Sequence, residues 1–201
     1  MIKAVVFDVG GVLLDWNPRH LYKTMFNGDD EAMERFLAEV CSPAWNLSLD
    51  AGKPFASGVA DLCGRFPEQS ALIAAYDSRW EDMVQGALED TIDLARTLKA
   101  SGVPLYALTN FSSEKMALVR ARYDFFTLFD GMVVSGEIGM VKPDSAIYRH
   151  LLERFDLRAE ETLFIDDSII NVAGAETAGL NAIHYRSASQ LRSELAQWRL
   201  L

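Results

Sequence analysis

Short apolar runs recur along the chain, and most of them lead into polar residues. An uninterrupted apolar run of this length is typical of a strand that is covered on both faces of a sheet. The runs that predict strands lie at residues 2–7, 104–108, 132–135, 162–165 and 181–185. Three of these runs are followed at once by polar groups, which are Asp8, Thr109-Asn110 and Asp166-Asp167.

Between the later runs, apolar residues recur every three or four positions, as they do on one face of a helix. The helices predicted there are 91–100, 113–122, 145–155, 169–178 and 188–198. Strands that alternate with helices predict right-handed crossovers. We therefore predict an α/β fold with a mainly parallel, Rossmann-like sheet flanked by helices.

Residues from about 16 to 85 contain no convincing strand. Asn17-Pro18 is typical of an N-cap followed by proline at the first helical position. The helices predicted here are 17–26, 29–40, 55–66 and 70–84, and residues 47–52 indicate a turn between two of them. We therefore predict a small helical module, residues 16–86, inserted into an α/β core made of residues 1–15 and 87–201.

The polar groups after the strands should meet, because ligands of an open α/β sheet bind at the carboxyl ends of its strands. One pocket would then hold the carboxylates of Asp8, Asp166 and Asp167, the hydroxyl of Thr109 and the ammonium of Lys142. Three carboxylates this close cannot all stay ionised without a cation between them. The sequence predicts a carboxylate nucleophile beside a hard divalent metal.

The amino-acid composition and net charge indicate the class of protein and exclude one class of partner. The chain of 201 residues is 50% hydrophobic and 24% charged, which fits a packed globular protein. Its formal net charge of −10 leaves no surplus of Lys and Arg to neutralise phosphates, so we expect no nucleic-acid partner. A small anionic substrate would need a local positive centre, which a metal ion would supply.

The chain shows no targeting or membrane signal. Cys41 and Cys63 fit no metal-ligand spacing and indicate reduced thiols. The N-terminus has no charged region followed by a long apolar run, and no stretch approaches the roughly 20 apolar residues of a membrane span. We expect a cytoplasmic protein without membrane contact, as a monomer or homodimer.

Four motifs stand in order along essentially the whole chain: FDVGGVLLD at 7–15, LTN at 108–110, VKPD at 141–144 and FIDDSIIN at 164–171. Together they resemble the haloacid dehalogenase-like hydrolase superfamily, in the branch with a helical cap inserted after the first motif. The resemblance implies that Asp8 attacks phosphorus and forms an aspartyl-phosphate, which water hydrolyses. It also implies that residues 16–86 are a cap that moves relative to the core.

The resemblance also implies how the substrate phosphate is bound. Thr109 would donate its hydroxyl to a phosphoryl oxygen, with the Asn110 amide beside it. Lys142 would hold the phosphoryl group against Asp8 and stabilise charge in the transition state.

A metal site is implied in the same way. Its ligands would be Asp8, the backbone carbonyl of Gly10, Asp167 directly, and Asp166 directly or through water. A few oxygen ligands shared with phosphate favour Mg²⁺. Asn171 would steady the loop that carries the acidic pair.

One position departs from the family pattern. Phosphatases of this superfamily usually carry a second Asp two residues after the nucleophile, as the general acid and base, and here that position is Gly10. Losing such a group typically costs about 10²–10⁴ in rate. We therefore expect a preference for leaving groups of low pKa, such as a sugar 1-phosphate or an aryl phosphate. Gly10→Asp should help alkyl esters more than aryl esters.

The predicted function is a Mg²⁺-dependent phosphatase for a small phosphorylated metabolite, such as a sugar phosphate. A metal-independent 2-haloacid dehalogenase also lacks the second Asp, but the Asp166-Asp167 pair would repel the carboxylate of a haloacid. The third hypothesis is a phosphate-binding protein without catalytic activity, because Gly10 stands in place of the general acid. A receiver domain would carry its acidic pair before the phosphorylated Asp, and a dinucleotide enzyme would carry G-x-G-x-x-G after the first strand.

Substrate choice should depend on the cap. The polar and aromatic candidates for its inner face are Trp16, His20, Trp45, Asp50, Lys53 and Arg79.

Overall fold

Seven strands form two sheets in this computed structural model, which describes all 201 residues. In chain order they are β1 (Ala4–Phe7), β2 (Leu14–Trp16), β3 (Val84–Ala87), β4 (Leu105–Thr109), β5 (Gly131–Val134), β6 (Thr162–Asp166) and β7 (Asn181–His184). The larger sheet has the order β5-β4-β1-β6-β7, and all of its neighbouring strands are parallel. The predicted parallel α/β sheet is confirmed.

Eleven α-helices surround these strands. They are α1 (Pro18–Met25), α2 (Asp30–Glu39), α3 (Pro43–Asp50), α4 (Phe55–Arg65), α5 (Ser70–Ser78), α6 (Glu89–Ala100), α7 (Ser113–Arg122), α8 (Ser135–Ile138), α9 (Ser145–Arg154), α10 (Ile169–Thr177) and α11 (Ala188–Gln197). None of them is both long and apolar enough to cross a membrane.

The sheet is covered on both faces because successive side chains of a strand point in opposite directions. On β1, Val5 and Phe7 belong to the core that also includes buried residues of α6, α7 and α11. Val6, between them, belongs to a second core that includes residues of α9 and α10. This two-sided burial explains why the strands appear in the sequence as unbroken apolar runs.

Helices α1 to α5 follow one another between β2 and β3. The predicted N-cap is present, because the Asn17 side chain accepts a hydrogen bond from the Arg19 N–H and Pro18 opens α1. Tyr22 and Tyr76 are almost completely buried among these helices. The assignment of residues 16–86 as a separate, mobile cap domain stays a prediction.

The predicted turn at residues 47–52 is wrong, because most of this segment belongs to α3. Ser42 caps the helix by accepting from the Trp45 N–H, and Pro43 occupies its first turn. Only Leu49 of α3 is fully buried. The segment therefore lacks the apolar periodicity that would have indicated a helix in the sequence.

The prediction that no strand lies between residues 16 and 85 is also wrong at its ends. β2 and β3 pair antiparallel, with Leu14 opposite Ala87. Each strand has only three or four residues and pairs with a segment far away in the sequence, so neither carries a local signal. The helix predicted at 70–84 stops at Ser78, and a 3₁₀ turn at Trp80–Met83 leads into β3.

Candidate active site

The carboxyl ends of three neighbouring strands meet at one edge of the larger sheet. Asp8 directly follows β1, which lies between β4 and β6. Thr109 is the last residue of β4, and Asp166 is the last residue of β6. A cavity of about 320 Å³ opens at this edge, and we call it the strand-end cavity. Its lining includes Asp8, Gly10, Gly11, Thr109, Asn110 and Asp167.

Three carboxyl groups converge beside this cavity. One oxygen each from Asp8, Asp166 and Asp167 lies within 4.8 Å of the others. Asp8 and Asp166 are buried, whereas Asp167 is exposed. The Oδ1 atom of Asp8 accepts a hydrogen bond of 2.7 Å from the Val9 N–H, which fixes the orientation of its carboxyl group.

Lys142 enters this cluster from the loop between α8 and α9, and its side chain is completely buried. Its Nζ atom lies 3.0 Å from Asp8 Oδ2 and 2.6 Å from Asp166 Oδ2, and it donates to the Leu108 carbonyl. Asn110 holds the loop, because its amide accepts from the Lys142 N–H and donates to the Lys142 carbonyl. The Asn110 side chain is therefore engaged with the backbone of Lys142.

Asp166 uses most of its hydrogen-bonding capacity on the protein. Besides Lys142, it accepts from the Ser168 N–H at 2.8 Å and from the Asn171 amide at 3.1 and 3.2 Å. Asn171 thus contacts the acidic pair at Asp166. Asp166 acts as the counter-ion of Lys142, while Asp167 is the exposed member of the pair and lines the strand-end cavity.

Burial and like charge raise the pKa values of Asp8 and Asp167. Burial raises the pKa of Asp8 from 3.8 to about 8, Lys142 works against this rise, and Asp166 and Asp167 add to it. The pKa of Asp167 is raised by burial and by Asp166. Burial lowers the pKa of Lys142, but Asp8 and Asp166 outweigh it and raise that pKa above its usual value.

The donor set fits a hard divalent cation. All the converging ligand atoms are oxygens, and three carboxyl groups share one ammonium, so negative charge is in excess. The like charges of Asp166 and Asp167 add to the burial that raises the pKa of Asp8, and a bound cation would offset both effects.

Gly11 determines how closely the backbone approaches Asp167. Its φ of +74° lies in the left-handed region, and a Cβ atom there would lie 2.4 Å from Asp167 Oδ2. Both facts require glycine at this position. Gly10 differs, because a Cβ atom added there meets nothing within 4 Å.

Gly11→Ala should therefore displace the Asp167 carboxylate. If the three-carboxyl cluster holds a divalent cation, its affinity should fall by roughly 10–100-fold, as expected when the support of a metal ligand is disturbed. Isothermal titration with Mg²⁺ measures this change. Gly28→Ala is the matched control, because Gly28 has a φ of +82° but open space around its Cβ position. Equal Mg²⁺ affinity in the Gly11→Ala variant and the wild type would contradict the prediction.

A second cavity of about 480 Å³ lies among α1, α2 and α3, and we call it the cap cavity. Its apolar lining includes Leu37, Ala38, Cys41, Pro43 and Leu47. A narrow third cavity, the bridging cavity, shares Gly10, Trp16 and Asn110 with the strand-end cavity and Asp50 with the cap cavity.

Of the six cap candidates from the sequence, only Trp16 and Asp50 line these cavities. The others contact neighbouring protein groups: His20 bonds Asp15, Trp45 donates to the Gly58 carbonyl, Lys53 pairs with Asp61, and Arg79 pairs with Asp82. Sequence analysis missed Asn46 and Lys115, which also line the bridging cavity. Neither stands next to a recognisable motif.

Comparison with known proteins agrees with this geometry. The family described as haloacid dehalogenase-like hydrolase matches residues 2–179. A sesquiterpene phosphatase of Aspergillus oryzae is 30% identical, and the alignment covers 97% of this chain and 95% of that protein. An (S)-2-haloacid dehalogenase of Pseudomonas fluorescens is 28% identical over 89% of this chain and 82% of that protein.

Solved structures agree on the fold. An enzyme of the same family from Bacteroides thetaiotaomicron, crystallised with magnesium and inorganic phosphate, superposes with a TM-score of 0.70. The match covers 93% of this chain and 96% of that chain at 23% identity, a level that supports the shared fold alone.

Proposed function

The chain belongs to the haloacid dehalogenase-like hydrolases, and on that premise we propose that it is a Mg²⁺-dependent phosphatase for small phosphate monoesters. The observation that carries the proposal is the position of Lys142. Its ammonium lies 3.0 Å from Asp8 and 2.6 Å from Asp166, at the strand edge where Thr109 also ends its strand. A carboxylate, an ammonium and a hydroxyl at one point suit a nucleophile that attacks a bound phosphoryl group.

In the proposed reaction, an Asp8 oxygen attacks phosphorus, the ester P–O bond breaks, and an aspartyl-phosphate forms. Water then hydrolyses this intermediate and restores the Asp8 carboxylate. Lys142 holds the nucleophile in place and balances negative charge on the phosphoryl oxygens. The Asn110 side chain contributes by fixing the Lys142 backbone.

Asp8, Asp167 and the Gly10 carbonyl are the proposed direct ligands of Mg²⁺. Asp166 is better suited to act through water, because Lys142, Ser168 and Asn171 already occupy its oxygens. When bound, the ion supplies positive charge that draws the phosphate into the acidic cluster and offsets charge on its oxygens.

Residues 16–86 are the proposed cap and residues 1–15 and 87–201 the proposed core. The cap cavity adjoins the catalytic edge through Asp50 and Asn110, so it is the natural place for the organic part of the ester. Leu37, Cys41 and Leu47 on its wall favour an ester with an apolar part. A sugar phosphate and a sesquiterpenyl phosphate therefore both belong in a substrate test.

The test is a parallel screen of a hexose 1-phosphate, a sesquiterpenyl phosphate, an aryl phosphate and a 2-haloacid, each with Mg²⁺ and with chelator. We expect release of inorganic phosphate with Mg²⁺ and a fall of roughly 10²-fold or more in chelator, the loss typical of removing one electrostatic stabiliser.

Halide release in chelator, without phosphate release, would instead establish the dehalogenase. Saturable binding of inorganic phosphate without turnover of any ester would establish a binding protein. Either result would overturn the proposed function.

A further inference from the structure

The proposed reaction needs a proton donor for the departing oxygen, and Gly10 cannot be one. Asp50 is the last residue of α3 and lines the bridging cavity together with Gly10 and Asn110. It also lines the cap cavity, so it stands where the organic part of an ester would join the phosphate.

Asp50 is tied to the core although it belongs to the proposed cap. Its carbonyl accepts a hydrogen bond of 2.5 Å from the Ser135 hydroxyl, and Ser135 also accepts from the Phe111 N–H. Gly52, with a φ of +102°, lets the chain turn directly over the Gly136 carbonyl, 3.2 Å from where a Cβ atom would lie. These contacts fix Asp50 beside the segment that follows Asn110.

The carboxyl group of Asp50 is also oriented. Its Oδ2 atom accepts from the Asn46 amide at 2.8 Å, and the Asn46 oxygen accepts from the Tyr76 hydroxyl at 2.8 Å. Because Tyr76 donates to the oxygen of Asn46, the amide nitrogen must face Asp50. This chain of hydrogen bonds orients the carboxyl group through Oδ2, and the Ser112 backbone also bonds the carboxyl group. Its Oδ1 atom accepts from no side chain and is the oxygen that would exchange a proton with a ligand.

Other proton carriers near these cavities already have partners. Lys115 donates to Asp77, and Arg19 donates twice to Glu34. Guanidinium groups also stay protonated throughout the neutral range and make poor acids. Asp50 is the carboxyl group that remains on the wall of the bridging cavity.

We propose that Asp50 is the general acid and base of this phosphatase and replaces the acid that Gly10 lacks. This inference rests on the proposed function. In the first step an Asp8 oxygen bonds to phosphorus as the ester P–O bond breaks. The electron pair of the broken bond passes to the ester oxygen, which takes the proton of Asp50 and leaves as an alcohol. In the second step the Asp50 carboxylate takes a proton from water. The water oxygen bonds to phosphorus, the bond between phosphorus and the Asp8 oxygen breaks, and its electron pair returns to the Asp8 carboxylate.

The surroundings of Asp50 suit both steps. Burial raises its pKa from 3.8 to about 7, while the Ser112 backbone, Lys142 and Asn46 act in the opposite direction. A carboxyl group with this pKa holds and releases a proton near neutrality. The other charged or titratable groups that line these cavities with Asp50 are Arg19, Glu34, Cys41, Tyr76 and Lys115.

The test compares an alkyl phosphate with an aryl phosphate in the Asp50→Asn variant. Asparagine keeps an oxygen for the Asn46 bond but cannot donate an acidic proton. We expect kcat/KM for the alkyl ester to fall by about 10²–10³-fold and that for the aryl ester to fall much less, because an aryl oxygen leaves without protonation. Asp50→Glu should recover part of the loss. Asp61→Asn, an exposed change in the same proposed cap, is the matched control.

Two further readouts do not depend on the ester ratio. In the wild type, kcat/KM should fall as the pH rises above about 7, because the acid must be protonated, and this limb should disappear in Asp50→Asn. With the aryl ester, whose first step does not need the acid, the aspartyl-phosphate should also accumulate in the variant during turnover, because the attacking water loses its base. Intact-protein mass spectrometry after rapid quenching measures this accumulation.

A double variant supplies a rescue. Gly10→Asp places a carboxyl group two residues after Asp8, at a position with open space and an ordinary φ. Gly10→Asp should raise the ratio of kcat/KM for the alkyl ester to kcat/KM for the aryl ester far more in the Asp50→Asn background than in the wild type. Such non-additivity is expected when two groups can perform the same role.

Equal losses for both esters in Asp50→Asn, with the pH limb intact, would overturn this inference and leave the proposed function standing. If Asp50→Asn does not fold, Asp50→Glu and the wild-type pH profile decide, and a profile flat from pH 6 to about 9 would overturn it. A wild type that hydrolyses neither ester with Mg²⁺ would instead remove the proposed function, and this inference with it.

Discussion

Asp8→Asn is expected to lower kcat/KM for every phosphate ester by about 10⁴-fold or more, the scale on which removing a catalytic nucleophile acts. The amide cannot attack phosphorus, and it is also a weaker metal ligand than a carboxylate. The fold should survive, because asparagine has the same shape and can still accept from the Val9 N–H. Phosphate release under saturating Mg²⁺ measures the loss, with Asp61→Asn as the control.

The same variant should change how stability depends on pH in the absence of metal. Burial raises the pKa of Asp8 to about 8 in the folded protein, against an ordinary value of 3.8 in the unfolded chain. Between these values the folded state holds a proton that the unfolded state releases, so this group makes the wild type less stable as the pH rises. Asp8→Asn removes the effect. In thermal melts with chelator, the Tm of Asp8→Asn should rise relative to that of the wild type as the pH increases from 5 to 8.

Parallel melting curves for the two proteins across this pH range would contradict the perturbed titration of Asp8. Retained turnover in Asp8→Asn would contradict the nucleophile itself. The two outcomes are independent, because the first is measured without substrate and the second with it.

The meeting of Asp8, Thr109 and Asp166 at one sheet edge could be predicted because their strands are buried on both faces. An apolar run that stops at Asp8, Thr109 or Asp166 marks the end of a strand, and parallel strands bring these ends to one edge. The family resemblance in the four motifs is confirmed by the match over residues 2–179.

The surroundings of Asp50 could not be predicted in the same way. They depend on α3, which lacks apolar periodicity, and on hydrogen bonds to Asn46, Tyr76 and Ser135 that join distant parts of the chain. The sequence offered Asp50 only as one of six cap candidates. Packing distinguishes it, because four of the other five candidates contact neighbouring protein groups instead of the cavities.

The environment of Lys142 could likewise be predicted only in part from the sequence. A lysine before proline is typical of a solvated loop, whereas here its side chain is completely buried between two carboxyl groups. The position of Asn110 beside a bound phosphate stays a prediction, and its side chain bonds the backbone of Lys142, which the sequence did not indicate. The burial of Lys142 and its backbone bonds to Asn110 depend on contacts between segments distant in the sequence, so no local sequence pattern predicts them.

Lys142→Met should therefore damage stability as well as catalysis. Breaking a buried ion pair by removing one partner typically costs about 3–5 kcal/mol, because the remaining charge is left uncompensated. Here Asp8 and Asp166 both lose their cation. We expect a loss of this size in urea unfolding without metal. Lys115→Met should cost less, because its partner Asp77 is 35% exposed and water can solvate the charge that remains.

The cost of Lys142→Met should also shrink as the pH falls towards the ordinary pKa of an aspartate, because protonation then removes the buried charge at little expense. The double variant Lys142→Met with Asp166→Asn should regain much of the stability at pH 8, since one uncompensated carboxylate is gone, yet it should remain inactive. A double variant no more stable than Lys142→Met would mean that lost packing, and not buried charge, accounts for the damage. Lys142 would then stabilise the fold through its aliphatic chain, and the electrostatic account of this cluster would have to be abandoned.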